Sequence, residues 1–320
     1  MGKSIKLILI TFISFVGLFL AFRGEDLSLI TLEIKKVKTG GLILASIILL
    51  LSCYIRAIRW KILIAPLGSI SIGKSLSATM IGYFGNGVLV FRLGELLKAY
   101  STSRNSDIKT TSLIGTVILE RSLDLLMVLL IFIISLPWFP VATLNIQLDN
   151  YSIIVFIIFL IAILVTLFFY RVDISHKILH FTNKYKEIKI IQLCLNILDG
   201  LISIKKSPDL KKIIFYSITL WIIYLGTTFT IIHSCNINLK FFDVCLLFVM
   251  GSLALGIPAL PGSIGTYDVA VKYFLVVAFN LSNHEALNYV IISHAISYFP
   301  LTAVGSVFFI FSNINLKHIK

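Results

Sequence analysis

Four short charged stretches lie inside or beside the long apolar runs of this 320-residue chain. The first is Arg56-Ala-Ile-Arg59-Trp60-Lys61. Cations three residues apart share a helix face, and paired guanidinium forks match a phosphate or a carboxylate. The second runs from Asn86 to Arg92-Leu-Gly94-Glu95, with Lys98 after it. There Arg92 can hold an anion, and Glu95 can orient it or neutralise it when the site is empty. The third is Glu120-Arg121-Ser-Leu-Asp124, three ionisable groups within five residues. Arg121 and Asp124 are spaced to pair at i,i+3, which leaves Glu120 to find a cation elsewhere, with Arg92 and Lys272 as candidates. The fourth is Pro261-Gly262-Ser-Ile-Gly265-Thr-Tyr-Asp268, followed by Lys272. A glycine-rich turn that opens a helix aims free N–H groups and a positive dipole end at an anion.

Each cluster also has a plain reading. Arg56, Arg59 and Lys61 suit simple anchoring at a headgroup layer, with Trp60 at the same level. Glu120, Arg121 and Asp124 could form a purely structural buried network. Asp268 is an ordinary residue for the first turn of a helix. Yet charge within a membrane span is costly, so the clusters stand as functional candidates.

The elements that carry them are membrane spans. Hydrophobic residues make up 58% of the chain and charged residues 13%. Mean hydropathy is +0.98. A globular chain is about a quarter charged, so this one has too little polar surface to cover itself in water. Apolar runs at 5–22, 41–58, 112–137, 151–170, 213–235 and 287–311 predict six full spans of about 20 residues each. The second is marginal, and Arg56 is expected to snorkel from it to the interface. Lys3 and Lys6 followed by an apolar run resemble a signal peptide, but no small-residue cleavage site precedes Arg23. The reading is an uncleaved first span.

Charge fixes the orientation. The net formal charge is +13, and loops 1–6, 56–74, 92–109, 171–212 and 313–320 hold 21 of the 28 Lys and Arg residues. By the positive-inside rule these loops, and both termini, are expected in the cytoplasm. Loops 56–74 and 92–109 then share a side, so segment 76–91 must enter and return. As a helix it reaches only about 24 Å against about 30 Å of hydrocarbon. Segment 243–281, interrupted by Pro258 to Gly265, must also return to its own side, as a broken re-entrant pair or as two short crossings. Nine of the 19 glycines fall in 73–94 and 251–265. Two Gly/Pro-broken segments entering from opposite faces suggest an inverted repeat with a binding site between them; close helix packing is the other use of such glycines. The expected fold is an all-α polytopic membrane protein, a single integral membrane domain over 1–320. Its halves are 1–137 and 151–311, and an amphipathic cytoplasmic connector spans 171–212.

Other features narrow the function. Cys53, Cys194, Cys235 and Cys245 form no CxxC and read as reduced apolar filler. His176 and His180 lack an acidic third ligand, and His233, His284 and His294 stand isolated in the sequence. No metal, cofactor, nucleotide loop or nucleophile elbow is indicated. Basic residues spread over membrane-flanking loops argue against nucleic acid.

Taken in order, the four clusters resemble the flippase-like family named after the transmembrane region of lysylphosphatidylglycerol synthase. Arg56 to Gly68 is similar to its R-x-x-R-W stretch ending in P-L-G, and Asn86 to Glu95 to its N-x-x-x-P-x-R-x-G-E motif. Glu120 to Asp124 matches E-R-x-x-D, and Pro261 to Asp268 resembles P-G-G-x-G-x-x-E. Val90 replaces the family's proline, Ser263 its second glycine and Asp268 its glutamate.

The resemblance implies a lipid-translocating module in a cell membrane. Members that make aminoacylated phosphatidylglycerol carry a soluble transferase domain; with about nine residues after the last span, this chain is expected to be a stand-alone relative without one. The expected partners are membrane lipids, an anionic phospholipid or a polyprenyl-linked glycolipid, and a synthase or glycosyltransferase; the oligomeric state stays open. The expected binding residues are Arg56, Arg59, Asn86, Arg92, Glu95, Glu120, Arg121, Asp124, Gly262, Gly265, Asp268 and Lys272. A membrane-embedded transferase with Glu95 or Glu120 as general base is the alternative, and a non-catalytic accessory subunit a third.

Overall fold

The computed structural model describes residues 3–24, 27–104, 106–138, 209–257 and 260–312. Among them there is no strand. The helices are α1 (Lys3–Phe22), α2 (Leu27–Lys35), α3 (Thr39–Ile64), α4 (Ile72–Val88), α5 (Gly94–Arg104), α6 (Thr110–Ser135), α7 (Leu210–Ser234), α8 (Phe241–Gly256), α9 (Thr266–Phe279) and α10 (Asn283–Phe311). Five of the expected spans each coincide with one helix: α1, α3, α6, α7 and α10. Span 151–170 and connector residues 171–208 lie outside the described residues. By length and composition Thr39–Ile64, Leu210–Ser234, Pro261–Phe279 and Asn283–Phe311 can cross a membrane. With these apolar helices, the chain is a multi-pass membrane protein.

Two local features differ from the sequence reading. Helix α2 lies between the first two expected spans, where no element was expected, and packs against α10. Helix α3 runs on to Ile64, so Arg56 lies about two turns inside its end and does not snorkel outward. Carboxylates on α6 hold it in the interior, where it is buried.

Segment 76–91 belongs to a helical hairpin. Ser71 starts α4 by accepting the Lys74 N–H at 3.2 Å. The chain then reverses through Phe91 and Arg92, both left-handed at φ 61° and 55°, a conformation that costs roughly 1 kcal/mol or more for each side-chain-bearing residue. Val90 opens this turn. The two arms touch along glycine: a Cβ on Gly85 would fall 2.6 Å from the Gly94 Cα, and one on Gly94 would strike the Gly82 carbonyl. Glycine here serves close packing as well as the break.

Segment 243–281 is likewise two antiparallel arms, α8 and α9, joined by a turn with Gly262, Ser263 and Gly265 all at positive φ. Sixteen and fourteen residues reach only about 24 and 21 Å, short of about 30 Å of hydrocarbon; counted from the turn at Pro261, the second arm is 19 residues and long enough to cross.

Helix α10, 29 residues long, shows how the hairpins are arranged. Gly305 packs on Met80 and Phe84 of α4, Gly87 packs on Thr302, and the Tyr298 hydroxyl donates to the Gly87 carbonyl at 3.1 Å. The first hairpin therefore has its tip near Tyr298 and runs past Gly305 toward its base. The second hairpin's tip glycine, Gly262, lies against Tyr298 and His294. Its Tyr267 hydroxyl is 3.0 Å from Ser293 Oγ, and Leu275 clusters with Ala286 and Val290. The hairpins thus approach from opposite ends of α10 and meet tip to tip near its middle. Arg92 closes the junction by donating to the Leu255 carbonyl at 2.5 Å. Helix α1 backs the second tip, where the Leu260 N–H donates to Ser14 Oγ at 3.2 Å and a Cβ on Gly17 would fall 2.6 Å from the Gly265 carbonyl.

Candidate functional site

Helices α3, α5 and α6 bring seven charged side chains together at the first hairpin, and α7 adds neutral partners. Arg56 Nη1 donates to Glu120 Oε1 at 2.8 Å and to Asp124 Oδ2 at 3.1 Å. One turn on, Arg59 Nη2 donates to Asp124 Oδ1 at 2.7 Å and to Glu120 Oε1 at 3.3 Å. Lys98 Nζ reaches Glu120 Oε2 at 2.6 Å and lies 4.0 Å from the centre of the Trp60 ring. Neutral groups complete the shell. The Tyr224 hydroxyl accepts from Arg56 Nε at 3.0 Å, Ser217 Oγ accepts from Arg59 Nη1 at 3.2 Å, and Trp221 Nε1 donates to Asp124 Oδ1 at 3.4 Å.

Helical periodicity explains the arrangement. Arg56 and Arg59 stand at i,i+3 on α3, and Glu120 and Asp124 at i,i+4 on α6, so each pair presents one face. Both carboxylates are buried, as are both arginines and Lys98. Charges so far from water require this degree of pairing.

One edge of the cluster is looser. Arg121 is 37% exposed at its side chain; its guanidinium lies 3.3 Å from Asp124 and 3.6 Å from Glu120. It reaches Glu95, itself 20% exposed, at 3.7 Å. Asn86 Nδ2 donates to the same Glu95 carboxylate at 3.4 Å. A cavity of about 10 Å³ opens here between Arg56, Thr79, Asn86, Glu95, Lys98 and Arg121, room for about one water. The Thr79 hydroxyl, the Asn86 carbonyl oxygen and Arg121 Nε are buried without a hydrogen-bond partner. Among the described residues, four cations meet three carboxylates, which leaves the cluster one positive charge in excess.

The expected site residues divide into two groups. Arg56, Arg59, Asn86, Glu95, Glu120, Arg121 and Asp124 converge in this cluster, and the i,i+3 pairing of Arg121 with Asp124 is present. Arg92, Gly262, Gly265, Asp268 and Lys272 lie at or beyond the hairpin tips instead. Glu120 pairs with Arg56, Arg59 and Lys98, not with Arg92 or Lys272 as expected. Lys98, named with the second cluster, is the member missing from the expected binding residues. It shares the α5 face with Glu95, three residues earlier, and that spacing was the available signal. Glu95 contacts Arg121 and Asn86 where Arg92 was the expected partner.

The second turn does not aim a free helix end at a cavity. Asp268 Oδ2 accepts the Gly265 N–H at 2.8 Å and caps its own helix. Lys272 donates to the Ala21 carbonyl of α1 at 2.6 Å. His294, read as isolated, bridges Asp268 and the Gly262 carbonyl. Its partners are 26 and 32 residues away, beyond the reach of any local pattern. Cys53, Cys235 and Cys245 are buried free thiols. Among the described residues no group of three His, Cys, Asp or Glu side chains could hold a metal; Cys194, His176 and His180 lie outside them.

The sequence profile of the family described as lysylphosphatidylglycerol synthase TM region matches residues 5–305. A UPF0104 membrane protein of Methanocaldococcus jannaschii is 26% identical over 230 residues, which cover 71% of this chain and 93% of the relative. No solved structure matches the chain. A profile match across the charged cluster and both broken hairpins settles its kinship: the chain belongs to the family of the lysylphosphatidylglycerol synthase transmembrane region.

Proposed function

We propose that this protein carries the phosphate-bearing headgroup of an anionic phospholipid or polyprenyl-linked lipid across the cell membrane. The observation that carries the reading is the net-positive charged cluster buried among apolar helices. Its loose edge offers Arg121, Thr79 and Asn86 polar atoms without partners. A charge network serving packing alone would pair its charges fully.

In the state described, Glu95 lies against Arg121 and the cavity has room for about one water. An entering phosphate takes the place of Glu95 on the Arg121 guanidinium, a geometry that suits a bidentate fork. Glu120 and Asp124 hold Arg56 and Arg59 in place meanwhile, so the positive field stays oriented toward the headgroup. Acyl or prenyl chains remain in lipid beside the apolar helix faces. The tip-to-tip hairpins separate the two ends of α10, as alternating access requires.

Proteoliposomes holding a headgroup-labelled phospholipid test the reading. Transport moves intact label between leaflets, and Arg121→Ala slows it by roughly tenfold or more while leaving the protein folded. A chemically converted product would instead assign a membrane-embedded transferase using Glu95 or Glu120 as base. Inactivity that is relieved only by a co-purifying synthase or glycosyltransferase would assign an accessory subunit.

A further inference from the structure

His294 sits in the middle of α10 where the second hairpin turns. Its Nδ1 lies 2.6 Å from Asp268 Oδ1, and its Nε2 lies 3.0 Å from the Gly262 carbonyl oxygen. A carbonyl can only accept, so Nε2 carries a hydrogen. Asp268 Oδ2 is already accepting the Gly265 N–H. The short contact between Nδ1 and Oδ1 needs a hydrogen as well, on one atom or the other. A neutral imidazole has one ring N–H, and it is used at Gly262. The pair therefore holds one proton more than neutral histidine beside ionised aspartate, whichever atom bears it.

We infer that Asp268 and His294 form a proton-binding site that clamps the second hairpin's turn onto α10. The hydrogen bonds run from the Gly262 carbonyl through His294 and Asp268 to the Gly265 N–H, so both sides of the turn hang on this pair. Gly262, Ser263 and Gly265 are all left-handed here, a backbone that persists only while its surroundings impose it. Release of the proton to water leaves one ring hydrogen for two acceptors. One hydrogen bond is lost, an acceptor faces a lone pair, and the turn loosens from α10. Because Arg92 of the first tip holds the Leu255 carbonyl just before this turn, loosening also frees the junction between hairpins.

The titratable and charged groups around the pair come from each packed element. They are Tyr267 and Lys272 of α9, Tyr298 of α10 and Arg92 of the first tip. Tyr267 is tied to Ser293, Tyr298 to the Gly87 carbonyl and Lys272 to the Ala21 carbonyl. Helix α1 contributes the neutral Ser14, and α8 the Leu255 carbonyl.

Asp268→Asn separates this reading from simple packing. The amide oxygen accepts the Gly265 N–H, the amide nitrogen donates to Nδ1, and neutral His294 donates from Nε2 to Gly262. Every bond is kept with no extra proton. The experiment is amide hydrogen exchange over 260–268 in purified full-length protein in lipid nanodiscs, corrected for the intrinsic pH dependence of exchange. As pH rises from about 5 to about 10, wild type should lose protection roughly tenfold, the effect of one charge-assisted hydrogen bond. Asp268→Asn should stay protected throughout, and His294→Gln should be unprotected throughout. A wild type without the transition, or an Asp268→Asn protein that shows it, overturns the proposal. This readout needs no lipid substrate, so its failure is distinct from failure of the transport assay.

Discussion

Glu120 is fully buried and meets Arg56, Arg59 and Lys98 within 3.3 Å. Removing it leaves four cations facing two carboxylates, with each of those cations deprived of a partner. Glu120→Ala should cost about 3–5 kcal/mol, visible as a lower denaturation midpoint in detergent and poor recovery from membranes. Arg121 answers to different physics. With its side chain 37% exposed and its pairs at 3.3 Å or longer, truncation to alanine should change stability by under about 1 kcal/mol. Transport should still fall by roughly tenfold or more, since a charge-assisted bidentate contact to phosphate is lost. Normal transport by a folded Arg121→Ala protein would remove this edge as the binding site. Glu95→Gln should act in the opposite sense on affinity. It removes the anion that competes for Arg121, so more anionic phospholipid should be retained through purification, measured by mass spectrometry of bound lipid.

At the scale of elements, the first hairpin depends on the absence of side chains. Gly85 approaches the Gly94 Cα and Gly94 approaches the Gly82 carbonyl. Gly94→Ala should push α4 and α5 apart at a cost of about 1–3 kcal/mol, and with α5 displaced Lys98 loses its reach to Glu120. Gly73, in the first turn of α4, has open space around its missing Cβ. There alanine should be neutral or stabilising by up to about 1 kcal/mol, because it favours helix without a clash. The two variants compared by thermal denaturation in one detergent test whether glycine acts through packing or through helix propensity. The second hairpin follows another logic. Its glycines at 262 and 265 have φ of 72° and 88°, so there backbone conformation is at stake as well as space.

For the whole molecule, α10 sets the arrangement, since hairpins that lie at opposite ends of one continuous helix have bases toward opposite membrane faces. Single cysteines placed at Ser69, before the first hairpin, and at Asn283, after the second, are both exposed in the structure. In a background lacking the native cysteines, a membrane-impermeant thiol reagent outside sealed vesicles should label one and not the other. Labelling of both from the same side would overturn the opposed arrangement. The excess of basic residues near Ser69 predicts that its side is cytoplasmic.

Much of this was legible from residue order, because hydropathy and local charge spacing are properties of neighbours along the chain. Span positions at α1, α3, α6, α7 and α10, the two interruptions and the shared faces of Arg56 with Arg59 and Glu120 with Asp124 all follow from periods of a few residues. The partners of those faces do not. Glu120 meets cations 61, 64 and 22 residues away, and the choice of Arg56, Arg59 and Lys98 over Arg92 or Lys272 is made by how α3, α5 and α6 pack. Helix α3 continues past its apolar run because α6 carboxylates compensate its arginines, which no window on α3 alone contains. His294 looked solitary for the same reason: its partners come from a turn that packing brings back to the middle of α10. Composition placed the chain in a membrane, where water cannot satisfy a buried charge; only the packed helices could decide which charges satisfy one another and which are left for a ligand.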